Sequence, residues 1–353
     1  MTPGKMPPGF WVVFLLGLVL SAASALDPFT SVFHRSGSLS NATLVWSEPA
    51  TAFFLSIKRP FSIAAFIGPT RTGKSTLATV AFGENKRTFG IGTGVDSMTT
   101  GMTITTEPVA NLGSFDLYVL DTEGLNGVHQ LTEVAYEVTL FNYALLMSST
   151  VIYNTFAPID ALALHRLETR TDFNTIFRKT AVQKGFANAG SDFSKPAILW
   201  VAQNFNKFTL KNSRYSSADD FLKTLLSHGS TGASKLSERV SELHLLPFDK
   251  PHTNDEVLVD LLQVPRNQLR REYLEDAENL VGSVKAKGKP LSFSRKNFFQ
   301  RKRISPIFPT ASRSWPGEHS ERFVLELRCL PIIRKRCKST PGDFEKRSPA
   351  VAV

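Results

Sequence analysis

The stretch "GPTRTGKS", from Gly68 to Ser75, decides how this chain is read. It fits the spacing Gly-x-x-x-x-Gly-Lys-Ser/Thr, and its surroundings fit as well. Before it runs "FSIAAFI" (61–67), a short apolar run of the kind a buried strand needs. After it, "STLATVAFG" places Leu77, Val80 and Ala81 at helical spacing, with the helix opening at Lys74. Strand, glycine-rich turn and helix in that order make a phosphate cradle. The glycines let successive backbone N–H groups turn inward around an anion, and the helix N-terminus adds positive potential. Gly68, Arg71, Thr72, Gly73, Lys74, Ser75 and Thr76 are therefore the candidate nucleotide-binding residues of the loop. Lys74 is expected to reach the β- and γ-phosphate oxygens, and the Ser75 hydroxyl to ligate Mg²⁺.

Working outward, "FDLYVLD" (115–121) is a second buried strand that closes on an acid, Asp121. An Asp-x-x-Gly at a strand end holds Mg²⁺ through water, and the Gly124 amide then senses the γ-phosphate. Between the two motifs lies "GIGTGVDSMTTGMTI" (90–104), with the composition of a loop that orders on a phosphate. "TVIYN" (150–154) and "AILWVAQ" (197–203) read as two more strands. Helices are expected over 133–147, with Val134, Val138, Phe141 and Leu145 on one face, and over about 159–186, 218–227 and 256–281. This alternation predicts an α/β fold of the P-loop NTPase class: a mainly parallel sheet with helices on both faces and its ligand at the carboxyl ends of the strands.

The formal net charge of +10 is not spread evenly. From Lys285 onward there are 17 Lys and Arg against 5 Asp and Glu, leaving 24 against 26 in the rest. The body is close to neutral and the tail is basic. A basic segment without periodicity reads as solvated chain rather than as a nucleic-acid surface. The tail, 292–353, is rich in Arg, Pro and Ser and is expected to be poorly ordered. At the other end, an apolar run from Phe10 to Leu20 precedes Ala23-Ser24-Ala25, a small-x-small site that signal peptidase accepts. Residues 1–25 are read as a signal peptide, placing the chain in the secretory pathway; a cytoplasmic chain, or one anchored by that apolar segment, is the alternative. Asn41-Ala42-Thr43 would then be a glycosylation sequon. The two cysteines, Cys329 and Cys337, both lie in the tail, and no histidine pair accompanies them to make a zinc site. The nucleotide domain is placed at 30–291.

"RTGKS", "GTGVDSMTTGM", "VLDTEGL" and "VIYNTFAPID", in that order from about Leu44 to Leu280, resemble the G domain of the guanylate-binding protein and atlastin group of large GTPases. "RTGKS" is similar to the guanylate-binding branch. The resemblance implies hydrolysis of GTP with Mg²⁺, and a homodimer that forms across the nucleotide face. It implies that Arg71 swings inward on dimerisation as an arginine finger supplied in cis; an exposed arginine capping the loop is the other reading. By the same matching Ser97 positions the attacking water, Thr99 binds Mg²⁺ and Glu123 joins the switch network. No glutamine follows Asp-x-x-Gly, since Leu125 stands there. The family's base-reading Arg-Asp pair falls on Gln203-Asn204, a departure that puts guanine selectivity in doubt. Fewer than 75 residues follow Leu280, so the family's long helical domain is expected to be missing. A nucleotide-dependent assembly or tethering module with little hydrolysis is the alternative function, with a membrane surface as a further candidate partner.

Overall fold

The apolar runs on either side of the phosphate loop become the centre of a nine-stranded sheet among the described residues. The computed structural model describes residues 28–36, 43–83, 89, 99–125, 134–156, 158–171, 195–211, 213–228, 236, 239–254 and 256–291. The chain divides into two units, 1–309 and 310–353, and all described residues lie in the first.

The strands are β1 (Phe29–Ser36), β2 (Thr43–Trp46), β3 (Phe61–Ile67), β4 (Met102–Thr105), β5 (Ala110–Asn111), β6 (Asp116–Thr122), β7 (Thr150–Phe156), β8 (Ala197–Gln203) and β9 (Glu242–Pro247). Their order is β2-β1-β4-β6-β3-β7-β8-β9, with β5 beside β6. The run β6-β3-β7-β8-β9 is parallel throughout, whereas β4, β1, β2 and β5 add as antiparallel ladders. Every residue of β3, β6 and β8 is buried, which is why these strands read as unbroken apolar runs rather than alternations.

Alternate residues of each strand feed opposite faces. Ile63, Ala65 and Ile67 of β3 join one core with Tyr118 and Leu120 of β6; Ala64 and Phe66 join the other with Leu117 and Val119. The first core is covered by α1 (Glu48–Ser56), α3 (Val134–Met147), a helix over 161–171 (α4) and α6 (Ala218–His228). The second lies under α2 (Lys74–Phe82) and α7 (Arg271–Lys287). A short helix α5 (Lys207–Lys211) follows β8. The sheet is thus helix-covered on both faces, as its alternation predicts.

Two helices differ from expectation. The stretch 256–281 is not one helix: 3₁₀ segments Glu256–Gln263 and Arg266–Gln268 precede α7. Pro265 separates the two 3₁₀ segments, because it lacks an N–H and disfavours helical backbone at Val264. In α3 the buried apolar and aromatic set is Tyr136, Leu140, Phe141, Tyr143, Ala144, Leu145 and Met147, with Asn142 buried among them, while Val138 is only half-buried. The leader, Asn41 and Ala42 of the sequon, Ser97, the tail and the continuation of the helix beyond 171 lie outside the described residues. Among the described residues no helix is long and apolar enough to cross a membrane.

Candidate nucleotide site

The cradle forms where β3 gives out. A Cβ on Gly68 would stand 1.9 Å from the Asn154 carbonyl oxygen, so only glycine lets the loop leave the sheet here. Arg71 (φ 64°) and Gly73 (φ 75°) both take the left-handed conformation. Turning the backbone this way aims successive N–H groups at one point. For Arg71 it costs about 1 kcal/mol, since a Cβ disfavours that region. Its side chain is exposed. α2 then starts at Lys74 with no side-chain cap on its first turn, leaving those N–H groups to face an anion. Thr72 is buried and its hydroxyl donates to the Pro69 carbonyl at 2.9 Å; Thr76 is half-buried on the first turn.

Lys74 is buried, and its Nζ donates to the same Pro69 carbonyl at 2.9 Å. Burial lowers its pKa to about 8, against the opposing pull of Asp121 and Glu123. Beside it the Ser75 hydroxyl donates to Asp121 Oδ2 at 2.6 Å, and the Thr99 hydroxyl donates to the same oxygen at 3.1 Å. Burial pushes the Asp121 pKa up, opposed by those two hydroxyls and by Lys74. The other carboxylate oxygen, Oδ1, is buried with no hydrogen-bond partner among the described residues. An orphaned carboxylate oxygen beside two hydroxyls is a hard-oxygen donor set of the kind Mg²⁺ takes, so these three residues fit that ion.

The chain after Asp121 is fastened to the loop. Leu125 N–H donates to the Gly68 carbonyl at 2.9 Å, and Thr70 N–H donates to the Leu125 carbonyl at 2.6 Å. A Cβ on Gly124 would come within 2.5 Å of Thr70, so glycine is required for that approach. Glu123 is buried with both oxygens engaged. Arg35 of β1 donates to Oε1 at 2.6 Å, and Oε2 accepts from Gly101 N–H at 2.9 Å and Tyr136 hydroxyl at 2.6 Å. It therefore ties β1, α3 and the segment carrying Thr99 to the end of β6.

Gln203 is buried at the end of β8, and its Nε2 donates to Asn154 Oδ1 at 3.1 Å. Asn154 Nδ2 in turn donates to the Thr72 carbonyl at 2.7 Å. Asn204 follows in a left-handed turn (φ 55°), exposed. The structure thus brings the loop, Asp121, Thr99, Glu123 and Gly124 together; Gln203 is linked to the loop through Asn154, and Asn204 follows it as an exposed residue. Sequence reasoning gave no role to Arg35, Tyr136 or Asn154. Only Asn154 left a signal, as an amide directly after the apolar and aromatic run Val151–Tyr153.

A family model described as guanylate-binding protein, N-terminal domain, matches residues 41–290. Guanylate-binding protein 3 of Mus musculus is 28% identical over 66% of this chain and 39% of its own length. Guanylate-binding protein 7 of Mus musculus is 30% identical over 62% of this chain and 36% of its own length. Guanylate-binding protein 7 of Homo sapiens is 26% identical over 68% and 40%. The chain thus spans about two fifths of the length of the curated relatives it matches. Among solved structures, Aquifex aeolicus Era bound to GDP and AlF₄⁻ has a TM-score of 0.32 and 14% identity over 65% of this chain and 57% of that one, too loose to carry an argument. With its loop, Asp121 turn and sheet order in place and most of its length matched by that model, the chain belongs to the guanylate-binding protein family through the family's N-terminal domain.

Proposed function

We propose that this chain binds GTP and hydrolyses it with Mg²⁺, two copies meeting across the nucleotide face. The observation that carries this reading is the convergence of the Ser75 and Thr99 hydroxyls on Asp121 beside a buried Lys74. In the reaction a water oxygen bonds to the γ-phosphorus as the bond to the β–γ bridging oxygen breaks. GDP leaves with that electron pair, and the water's proton ends on the released phosphate. Lys74 exchanges the Pro69 carbonyl for β and γ oxygens, and the loop N–H groups hold the β-phosphate. Ser75, Thr99 and Asp121 would hold Mg²⁺, which when bound supplies positive charge across the β and γ oxygens. Ser97 orients the water, and Arg71, lying exposed on the loop, turns inward when a second copy packs against it. Gln203 and Asn204 stand on the side where the base is read.

We further propose that residues 1–25 are removed as a leader, so that the mature chain starts near Leu26 with Asn41 glycosylated. N-terminal sequencing and a glycosidase mobility shift check this; an intact Met1 with no shift returns the chain to the cytoplasm or to a membrane anchor. For the enzyme, turnover per subunit is measured against protein concentration with GTP and Mg²⁺. Turnover that rises with concentration supports dimer-activated hydrolysis. Tight GTP binding with negligible turnover at every concentration favours the tethering module, and no nucleotide binding overturns both readings.

A further inference from the structure

Two buried amides connect the phosphate end of the site to its base end. β7 and β8 are neighbours in parallel register, with Asn154 opposite Val201 and Phe156 opposite Gln203. Their interiors are apolar, from Val151 to Tyr153 and from Ile198 to Ala202. Asn154, fully buried, and Gln203, 5% exposed, interrupt that pattern near the carboxyl ends. A buried amide costs stability unless its hydrogen bonds are made, and these two are bonded in a fixed sense. Gln203 donates to Asn154, which donates to the Thr72 carbonyl.

The receiving atom is the important one. Thr72 lies between Arg71 and Gly73, the two left-handed residues that shape the cradle. In a planar trans peptide the C=O and the following N–H point in opposite directions. Holding the Thr72 carbonyl down toward β7 therefore turns the Gly73 N–H up, to where an anion sits. The backbone carbonyl of Asn154 also abuts Gly68, so one residue touches both ends of the loop. Gln203 fixes the rotation of the Asn154 amide, and its own chain neighbour is Asn204 in the exposed left-handed turn.

We propose that Asn154 and Gln203 are positioning residues that aim the Gly73 N–H at the β-phosphate and couple that aim to the turn at Asn204. This rests on the reading of the loop as a nucleotide site. Two variants separate the links. As a carboxylate, Asn154→Asp keeps the shape and still accepts from Gln203, but has no N–H to give to the Thr72 carbonyl and sets a buried negative charge against it. Gln203→Met keeps the volume and loses the donor to Asn154 together with the hydrogen bond between Gln203 and Tyr273, so Tyr273→Phe, which removes only the second of these, is its control.

The experiment measures Kd for GDP with Mg²⁺ and the ³¹P resonance of the bound β-phosphate, well below each variant's Tm. Asn154→Asp is expected to weaken GDP binding about tenfold, the scale of one lost hydrogen bond. Gln203→Met is expected to move the β-phosphorus resonance and weaken binding about threefold, with the double variant no worse than Asn154→Asp alone because the links act in series. Wild-type Kd and resonance in folded Gln203→Met, or losses that add in the double variant, would overturn the coupling. If Asn154→Asp does not fold, Gln203→Met decides alone. If the wild-type protein does not bind GDP with Mg²⁺, the nucleotide reading fails and this inference falls with it.

Discussion

Arg35 Nη1 lies 2.6 Å from Glu123 Oε1, joining residues 88 apart in the chain. The arginine is 27% exposed at its side chain and the glutamate 7%, so the pair is shielded from water without being sealed. Arg35→Ala leaves a buried carboxylate with only the Gly101 and Tyr136 donors. The expected cost is about 2 kcal/mol, below the roughly 3–5 kcal/mol of breaking a fully buried pair because Arg35 is partly exposed. Tm should fall by about 4–8 °C. A melt within about 1 °C of wild type would assign Arg35 no structural role.

Lys74 gives the site a pH limit. Its pKa is held at about 8 by burial, and phosphate oxygens beside it would raise that value. Below pH about 8 the lysine is already charged, and affinity is flat. Above it, binding must draw a proton from solution, so nucleotide affinity should fall by up to about tenfold per pH unit. Titrations of a fluorescent GDP analogue between pH 7 and 9.5 test this. Lys74→Ala should remove measurable affinity at every pH, and an equal Kd in that variant would refute the cradle.

Arg71 separates binding from chemistry. Because it is exposed on the loop, Arg71→Ala should change GTP affinity by no more than a few-fold. Turnover at high protein concentration should drop by about 10³ if the guanidinium neutralises the transferring phosphoryl group. Equal turnover in the two proteins would return Arg71 to an exposed cap on the loop.

In the proposed reading Asn204 takes the place of a carboxylate that accepts from both guanine N1–H and the exocyclic amine. Its amide offers one acceptor, while its NH₂ meets a donor. Losing one charge-assisted bond corresponds to roughly 5- to 150-fold in affinity. Competition titrations should show xanthine nucleotides competing unusually well, and Asn204→Asp restoring preference for guanine. A wild-type preference for GTP of a thousandfold over XTP and ATP would mean another group reads the base.

His244 on β9 predicts a pH dependence of stability. Its Nδ1 lies 2.8 Å from Asp219 of α6 and its Nε2 3.0 Å from Glu242, to which Lys287 of α7 also reaches. Burial lowers the histidine pKa, but the two carboxylates outweigh it and the net shift is upward. The Glu242 carboxyl is held at about 2, chiefly by Lys287 and then by His244. A base with a raised folded pKa stabilises fully below its unfolded value, near 6.5, and loses that stabilisation as pH rises through the folded value. Tm should therefore decline from pH 6 to pH 8.5, with a shallower slope in His244→Leu. Parallel slopes would show that other groups carry the dependence.

The parts of this molecule that were legible in the sequence are those where neighbours in the chain do the chemistry. Gly68 to Ser75 shape one turn, and Asp121 is the penultimate residue of a strand whose seven residues are all buried, so local pattern sufficed. The antiparallel wing was not foreseen: β4 has four residues, β5 two, and β1 mixes Thr, Ser, His and Arg with its apolar positions. Arg35–Glu123 and Asn154–Thr72 were out of reach because they join residues 88 and 82 apart. Pro265 was visible, but the apolar spacing on both sides of it suggested continuity that the missing N–H does not allow.

β6 also determines where the chain has room to change. Asp121 pairs with Phe66 on one edge and Thr103 on the other, so its place is locked from both sides. An insertion within the strand would slip the ladder by one residue, present Leu120 or Thr122 at the site, and turn each side chain to the opposite core. The turn between β5 and β6 is the reverse case. Gly113 is exposed at φ 78°, with nothing within 4 Å of where a Cβ would point. A graft there, whether a fluorophore attachment site or an epitope loop, lengthens the hairpin without altering register, giving a handle about one strand-length from Asp121.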